Sequence, residues 1–144
     1  MCNKLMSKKK YKILIVASSF YDDVTSKMIK AAEEELKKNN CSFKIFQVQG
    51  SLEIPTLISI KLKKENYDGA LALGCIIKGQ TTHNEVIAST ITSRLLDISI
   101  TTLKRVGNAV LSCINLKQAI ARTKGSKNRA AEAVNAIISV LSNV

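Results

Sequence analysis

A chain of 144 residues that is 46% hydrophobic is the size of one compact domain and can bury its own core without staples. No stretch approaches the roughly 18 consecutive apolar residues of a membrane span, so a membrane protein is not expected. The formal charge of +11 raises polyanion binding, but Trp is absent and the three Phe and three Tyr do not interleave with basic runs, so a base-stacking nucleic-acid platform is not expected either.

Much of the charge lies at Lys4, Lys8, Lys9, Lys10 and Lys12 and again between Lys117 and Arg129, and a small phosphorylated ligand accounts for part of it equally well. Residues 1–11 read as a basic flexible tail, without the apolar segment and cleavage site of a secretory signal. Residues 12–144 read as one α/β domain. Cys2, Cys41, Cys75 and Cys113 are widely spaced and form no Cys-x-x-Cys pair. Three of them lie in or beside apolar strand candidates, which suggests free thiols in a reducing cytoplasm rather than disulfides or a metal site.

Residues 12–17 read as a buried, β-branched first strand. Ser18-Ser19-Phe20-Tyr21 breaks the run, and a helix is expected from Asp22 or Asp23, where a carboxylate can cap free N–H groups. Val24, Met28, Ala32 and Leu36 form its inner stripe, and Asn39-Asn40 ends it. Residues 43–48 alternate as a second strand. Gly50 permits a turn, and a helix follows near Ile54-Pro55 with Ile54, Leu57, Ile58 and Leu62 inward.

Residues 70–73 form a third strand whose small apolar run suits a sheet centre. After His83, Ile87, Ile91 and Leu95 share a helical face through about Leu96. Residues 109–114 read as a fourth strand, and Asn115 caps a short helix. Lys124-Gly125-Ser126-Lys127 interrupts that helix, and a last helix from Asn128 turns Ala130, Val134, Ile137 and Leu141 inward. This alternation predicts a flavodoxin-like three-layer α/β/α sandwich around a four-stranded parallel sheet.

Ligands of such sheets bind beyond the carboxyl ends of the strands, which nominates residues 18–20, 49–53 and 75–83 as one rim. His83, the single histidine, follows the most apolar strand, where an imidazole can serve as an acid/base group. Gly79-Gln80-Thr81-Thr82 beside Lys78 suits either a phosphate cradle or a plain helix N-terminus. Phe20 suits either a stacking face for a flat heterocycle or a staple onto the next helix. Glu53 suits either a polyol contact or an ordinary helix-dipole role. The chain has no Gly-x-x-x-x-Gly-Lys-Ser/Thr motif, no Gly-x-Gly-x-x-Gly after the first strand and no Gly-x-Ser-x-Gly elbow.

Taken in order, these segments resemble the lumazine synthase family from about Lys12 to Leu141. Leu73-Gly74-Cys75-Ile76-Ile77-Lys78-Gly79-Gln80-Thr81-Thr82-His83 is similar to its leucine-glycine, apolar, basic, glycine-x-threonine-x-histidine signature. Gly50-Ser51-Leu52-Glu53-Ile54-Pro55 resembles its glycine-x-x-glutamate-isoleucine-proline turn, and Ser19-Phe20 followed by Thr25 resembles its first loop. Val106-Gly107-Asn108-Ala109-Val110-Leu111, Gln118-Ala119-Ile120-Ala121-Arg122 and Asn128-Arg129 complete the order. The chain departs from the family at Gln49, usually proline; at Leu52, often aromatic; at Arg129, usually lysine; and at Asn108, phenylalanine in many members and asparagine in others.

The resemblance implies condensation of 5-amino-6-(D-ribitylamino)uracil with 3,4-dihydroxy-2-butanone 4-phosphate in riboflavin biosynthesis, without metal or organic cofactor. It implies that His83 transfers protons and that Phe20, Ser51, Leu52, Glu53, Cys75, Ile76, Ile77, Asn108 and Arg129 hold the uracil substrate. Gln80, Thr81 and Arg122 would hold the phosphate. It further implies homopentamers, sometimes packed into sixty-subunit shells, with sites at subunit contacts. The alternative from the same residues is a noncatalytic module of this fold that binds a flavin-like ligand or a polyanion.

Overall fold

The computed structural model describes residues 10–78 and 83–144. Among them, four strands form one parallel sheet in the order β2-β1-β3-β4, with β1 Lys12–Ser18, β2 Ser42–Val48, β3 Gly69–Ile77 and β4 Arg105–Cys113. The helices are α1 Asp22–Lys38, α2 Ile54–Lys64, α3 Asn84–Thr102, α4 Leu116–Ala121 and α5 Arg129–Leu141, with short 3-10 turns at Ser51–Glu53 and Gly125–Lys127. The predicted alternation of strand and helix is the one observed.

The sheet is buried on both faces because its strands alternate between two cores. Ile13, Ile15, Leu71, Leu73 and Cys75 pack against Met28, Ala32 and Leu36 of α1 and Val134, Ile137 and Leu141 of α5. Leu14, Val16, Ala70 and Ala72 pack against Ile54, Ile58 and Leu62 of α2 and Ile91 and Leu95 of α3. Every residue of β3 is buried, as its unbroken apolar sequence requires of a strand flanked on both sides. Each fully buried Leu, Ile or Met contributes about 1.5–3 kcal/mol by removal from water, so these two faces dominate stability.

Several boundaries differ from the sequence reading. β3 extends to Ile77, placing Cys75, Ile76 and Ile77 in the strand rather than in the loop after it. β4 begins at Arg105 instead of residue 109, so Asn108 is its fourth residue. α3 continues past Leu96 to Thr102, where Leu103 closes it in the left-handed region with φ 59°. The start of α1 is also different. Asp22 and Asp23 lie inside its first turn, where they favour the helix dipole, while the capping position belongs to Tyr21, whose side chain caps nothing. Asn115 and Asn128 do cap their helices, accepting from Gln118 N and from Ala130 N and Ala131 N. Among the described residues, no helix is long and apolar enough to cross a membrane.

Candidate active site

Parallel pairing brings the loops after β1, β2 and β3 to one edge. Ser18 is in register with Val48, and Ser19 N and Phe20 N donate to Val48 O and Gln49 O at 2.8 and 3.1 Å. These bonds tie the Phe20 loop to the Gly50 turn. A cavity of about 270 Å³ opens there, lined by Phe20, Tyr21, residues 50–53, residues 75–77 and Ile87. Of the residues nominated from sequence, Phe20, Ser51, Leu52, Glu53, Cys75, Ile76 and Ile77 meet around this one space.

Phe20 is 57% exposed, so its ring does not staple the following helix. It meets Tyr21 edge-on, with ring centroids 4.7 Å apart and planes at 80°, an arrangement aromatic pairs favour. Tyr21 itself has φ 59° and ψ 54°, a left-handed conformation that a bulky residue adopts at a cost of order 1–3 kcal/mol. Its carbonyl accepts from Val24 N and Thr25 N, which anchors the turn.

The Gly50 turn is closed reciprocally. Gly50 N donates to Glu53 Oε1 at 2.9 Å, and Glu53 N donates to Gly50 O at 3.2 Å. A Cβ on Gly50 would lie 2.9 Å from Glu53 Oε1, so the glycine lets the carboxylate close over the turn. Gly74 plays a similar part below: a Cβ there would stand 2.6 Å from Ser51 Oγ and 3.3 Å from Ser18 Oγ. Ser51 can sit at the cavity floor only because position 74 has no side chain.

Cys75 forms wall, not nucleophile. Burial, with neighbouring Cys113 second, pushes its thiol up to about 12, so it carries no thiolate near neutral pH. Cys41, Cys75 and Cys113 are all free and buried.

His83 is exposed at the N-terminus of α3, and its carbonyl accepts from Ile87 N at 2.9 Å. It thus stands one turn ahead of a cavity-lining residue, on the same rim, but is not itself among the lining residues. Gln80 and Thr81 lie outside the described residues.

Arg122, Asn108 and Arg129 gather elsewhere. They line a groove of about 430 Å³ along β4, together with Arg105, Glu132 and others. The half-buried Arg122 guanidinium donates to Ser112 O at 3.3 Å and approaches Cys113 Sγ at 3.5 Å, and Cys113 is in register with Ile77 of the cavity wall. Arg122 therefore stands near the seam between groove and rim. Arg129 N donates to Arg122 O at 3.1 Å, coupling the two arginines through the backbone. Asn108 is exposed and donates to Thr92 Oγ1 at 3.0 Å. It pairs with Ala72, five residues and about 17 Å of strand before Ile77. Asn108 is thus mid-strand rather than at the start of its strand, and it does not line its own chain's cavity.

The sequence reading missed Tyr21 and Ile87 as cavity residues. Ile87 was legible as one turn beyond His83 on a recognised inner stripe; Tyr21 carried no signal, because its left-handed backbone is what brings it to the cavity wall.

A family model described as 6,7-dimethyl-8-ribityllumazine synthase matches residues 10–144. A protein of that name from Bartonella bacilliformis is 38% identical over 134 residues, covering 89% of this chain and 88% of its own. Another of that name from Bartonella henselae is 38% identical over 136 residues, with 92% and 88% covered. One from Afipia carboxidovorans is 34% identical over 136 residues, with 90% and 83% covered.

Proposed function

The chain belongs to the 6,7-dimethyl-8-ribityllumazine synthase family, and from that premise we propose how it condenses 5-amino-6-(D-ribitylamino)uracil with 3,4-dihydroxy-2-butanone 4-phosphate to 6,7-dimethyl-8-ribityllumazine, releasing phosphate and water. The observation that carries the assignment of the site is the gathering of Phe20, Ser51, Leu52, Glu53, Cys75, Ile76 and Ile77 around one cavity on the rim that bears His83. Family membership favours this transferase over a noncatalytic module of the same fold.

In this reading the pyrimidine stacks on the exposed Phe20 ring, and its ribityl chain runs past Ser51, Leu52 and Glu53. The substrate amine attacks the ketone, water leaves as the imine forms, phosphate departs, and ring closure with loss of a second water gives the product. His83 moves protons between these steps, a role worth about 10² to 10⁴ in rate. Arg122, with the backbone of Gln80 and Thr81, stabilises the departing phosphate. Holding the two substrates together supplies much of the remainder.

The reading extends to assembly. Asn108 and Arg129 serve the site of a neighbouring copy in a homopentamer, the unit from which sixty-subunit shells are built in this family. Their position along β4, away from the chain's own cavity, supports this. So do the exposed apolar residues Val86, Leu96, Ile100 and Leu103 on and after α3, which a second copy would cover. We assign the enzyme to the cytoplasm, in keeping with three buried free thiols.

Incubating the purified protein with both substrates tests the reading through lumazine absorbance and phosphate release; absence of both sinks it. Light scattering tests the assembly, and a monomer at assay concentration would contradict the shared site. Mixing His83→Ala with Arg129→Ala subunits tests it further, because a shared site restores activity to some pockets of the mixed assembly.

A further inference from the structure

The loop from Arg122 to Arg129, between α4 and α5, inverts the usual arrangement of a surface turn. Lys124, Gly125 and Ser126 are exposed, yet the polar residues Thr123 and Asn128 are only 7% and 4% exposed. Loops normally turn short polar side chains to water, and burying one is tolerated where its hydrogen bonds are met. Here the backbone around the loop meets them. Thr123 Oγ1 donates to Ile120 O at 2.6 Å. Asn128 Nδ2 donates to Thr123 O at 2.7 Å, while Asn128 Oδ1 accepts from Ala130 N and Ala131 N at 2.9 and 3.3 Å.

One amide therefore grips both ends of the loop. Its oxygen caps α5, whose first residue is Arg129, and its nitrogen holds the carbonyl of Thr123, the residue after Arg122. Arg122 needs that anchor. It closes α4, a helix of six residues that buries Ala119 alone, whereas α5 buries Ala130, Ala133, Val134, Ile137 and Leu141. The guanidinium reaches Ser112 O at 3.3 Å and Cys113 Sγ at 3.5 Å only while its backbone keeps this place.

We propose that Asn128 is a positioning residue for the phosphate-bearing substrate: its amide N–H, through Thr123 O, ties Arg122 to the well-packed α5 and holds the guanidinium where the phosphate binds. This rests on the reading of Arg122 as the phosphate contact. Capping alone needs only an oxygen, which Ser, Thr or Asp supplies as well. The bond from Nδ2 is the part that requires asparagine.

Asn128→Ser and Asn128→Thr keep a capping oxygen and remove the amide donor, and either one suffices if the other does not fold. The KM for the butanone phosphate is expected to rise about three- to tenfold. The KM for the ribitylaminouracil should move less than about twofold, because the cap of α5, and with it Arg129, stays in place. Thr123 O loses its partner, so the melting temperature should fall slightly, as any structural role would also make it do. The readout that separates the two is the Arg122→Ala background. There Asn128→Ser or Asn128→Thr should lower the melting temperature again but leave the butanone phosphate KM where Arg122→Ala alone puts it. The same fold-change in KM with and without Arg122, or an unchanged KM in the single variants, overturns the proposal.

Calorimetric binding of inorganic phosphate distinguishes this from the activity. If phosphate affinity falls in Arg122→Ala and in the Asn128 variants of a protein that does not turn over, the proposal stands and the transferase reading falls. If Arg122→Ala weakens phosphate binding and the Asn128 variants do not, only the proposal falls. Phosphate affinity indifferent to Arg122→Ala overturns both the role of Arg122 and the proposal.

Discussion

At the amino end of the sheet, the Tyr67 hydroxyl donates to Glu65 at 2.9 Å, and Lys61 and Lys44 approach the same carboxylate at 3.2 and 3.5 Å. Nearby, Lys12 N donates to Asp68 at 2.8 Å, and Tyr11 closes onto Leu141 O at 3.1 Å. At the carboxyl end, Ser18 and Tyr21 keep buried hydroxyls without partners, and Tyr21 is held left-handed. One end of the strands is satisfied internally, while the other holds polar capacity open. The same parallel topology thus puts the internally bonded polar groups and the unpartnered ones at opposite ends of the strands.

The sharpest way to break this comparison is to remove groups at the open end. His83→Ala should lower kcat by about 10² to 10⁴ while shifting the melting temperature by less than about 2 °C, because His83 is exposed and its side chain does not cap α3. A variant that melts markedly earlier, or one that keeps its kcat, would remove His83 from the chemistry. Arg122→Ala should act next in size, raising the KM for the butanone phosphate about 10- to 100-fold by deleting a charge-assisted contact. Since Arg122 also holds Ser112 O and Cys113, a modest stability loss should accompany it. A KM change confined to the pyrimidine would place Arg122 at the wrong substrate.

The sequence made the rim legible because parallel β/α alternation dictates where strand ends converge. β1, α1 and α5 announced themselves through uninterrupted apolar runs and regular stripes. The boundaries that escaped did so for physical reasons. β4 opens with Arg105, Gly107 and Asn108, an edge-strand composition that looks like loop; α3 outruns its inner stripe because exposed Ile100 and Thr101 add no inward pattern. Tyr21 escaped entirely, as a left-handed aromatic violates local preference and only tertiary packing enforces it. Cys75 looked like pocket lining from its position, and the structure adds that burial keeps it a thiol.

At the satisfied end the expected effects reverse. Tyr67 is 1% exposed and its hydroxyl has Glu65 as partner, so Tyr67→Phe should lower the melting temperature by about 2–4 °C and leave both KM values in place. A Tyr67→Phe variant that melted like the wild type, or that changed either KM, would break the distinction between the ends.

The smallest effect, and the one with a defined pH window, belongs to Glu65. The Tyr67 hydroxyl first, then Lys61, hold its carboxyl down to about 2, below the ordinary carboxylate value of about 4.3. A carboxyl whose folded value is depressed binds its proton more readily when the chain is unfolded. Its contribution is therefore complete above the unfolded value and fades as pH falls toward the folded one. Glu65→Gln should melt slightly earlier than wild type at neutral pH, and the gap should close between about pH 4.5 and 2. Other carboxylates titrate in the same window, but they do so in both proteins, so the difference between the two melting curves isolates this one group. A gap that persisted at pH 2 would mean that Glu65 acts through its shape and neutral hydrogen bonds. The amino end would then owe its stability to packing, and the contrast between the ends would be one of burial instead of charge.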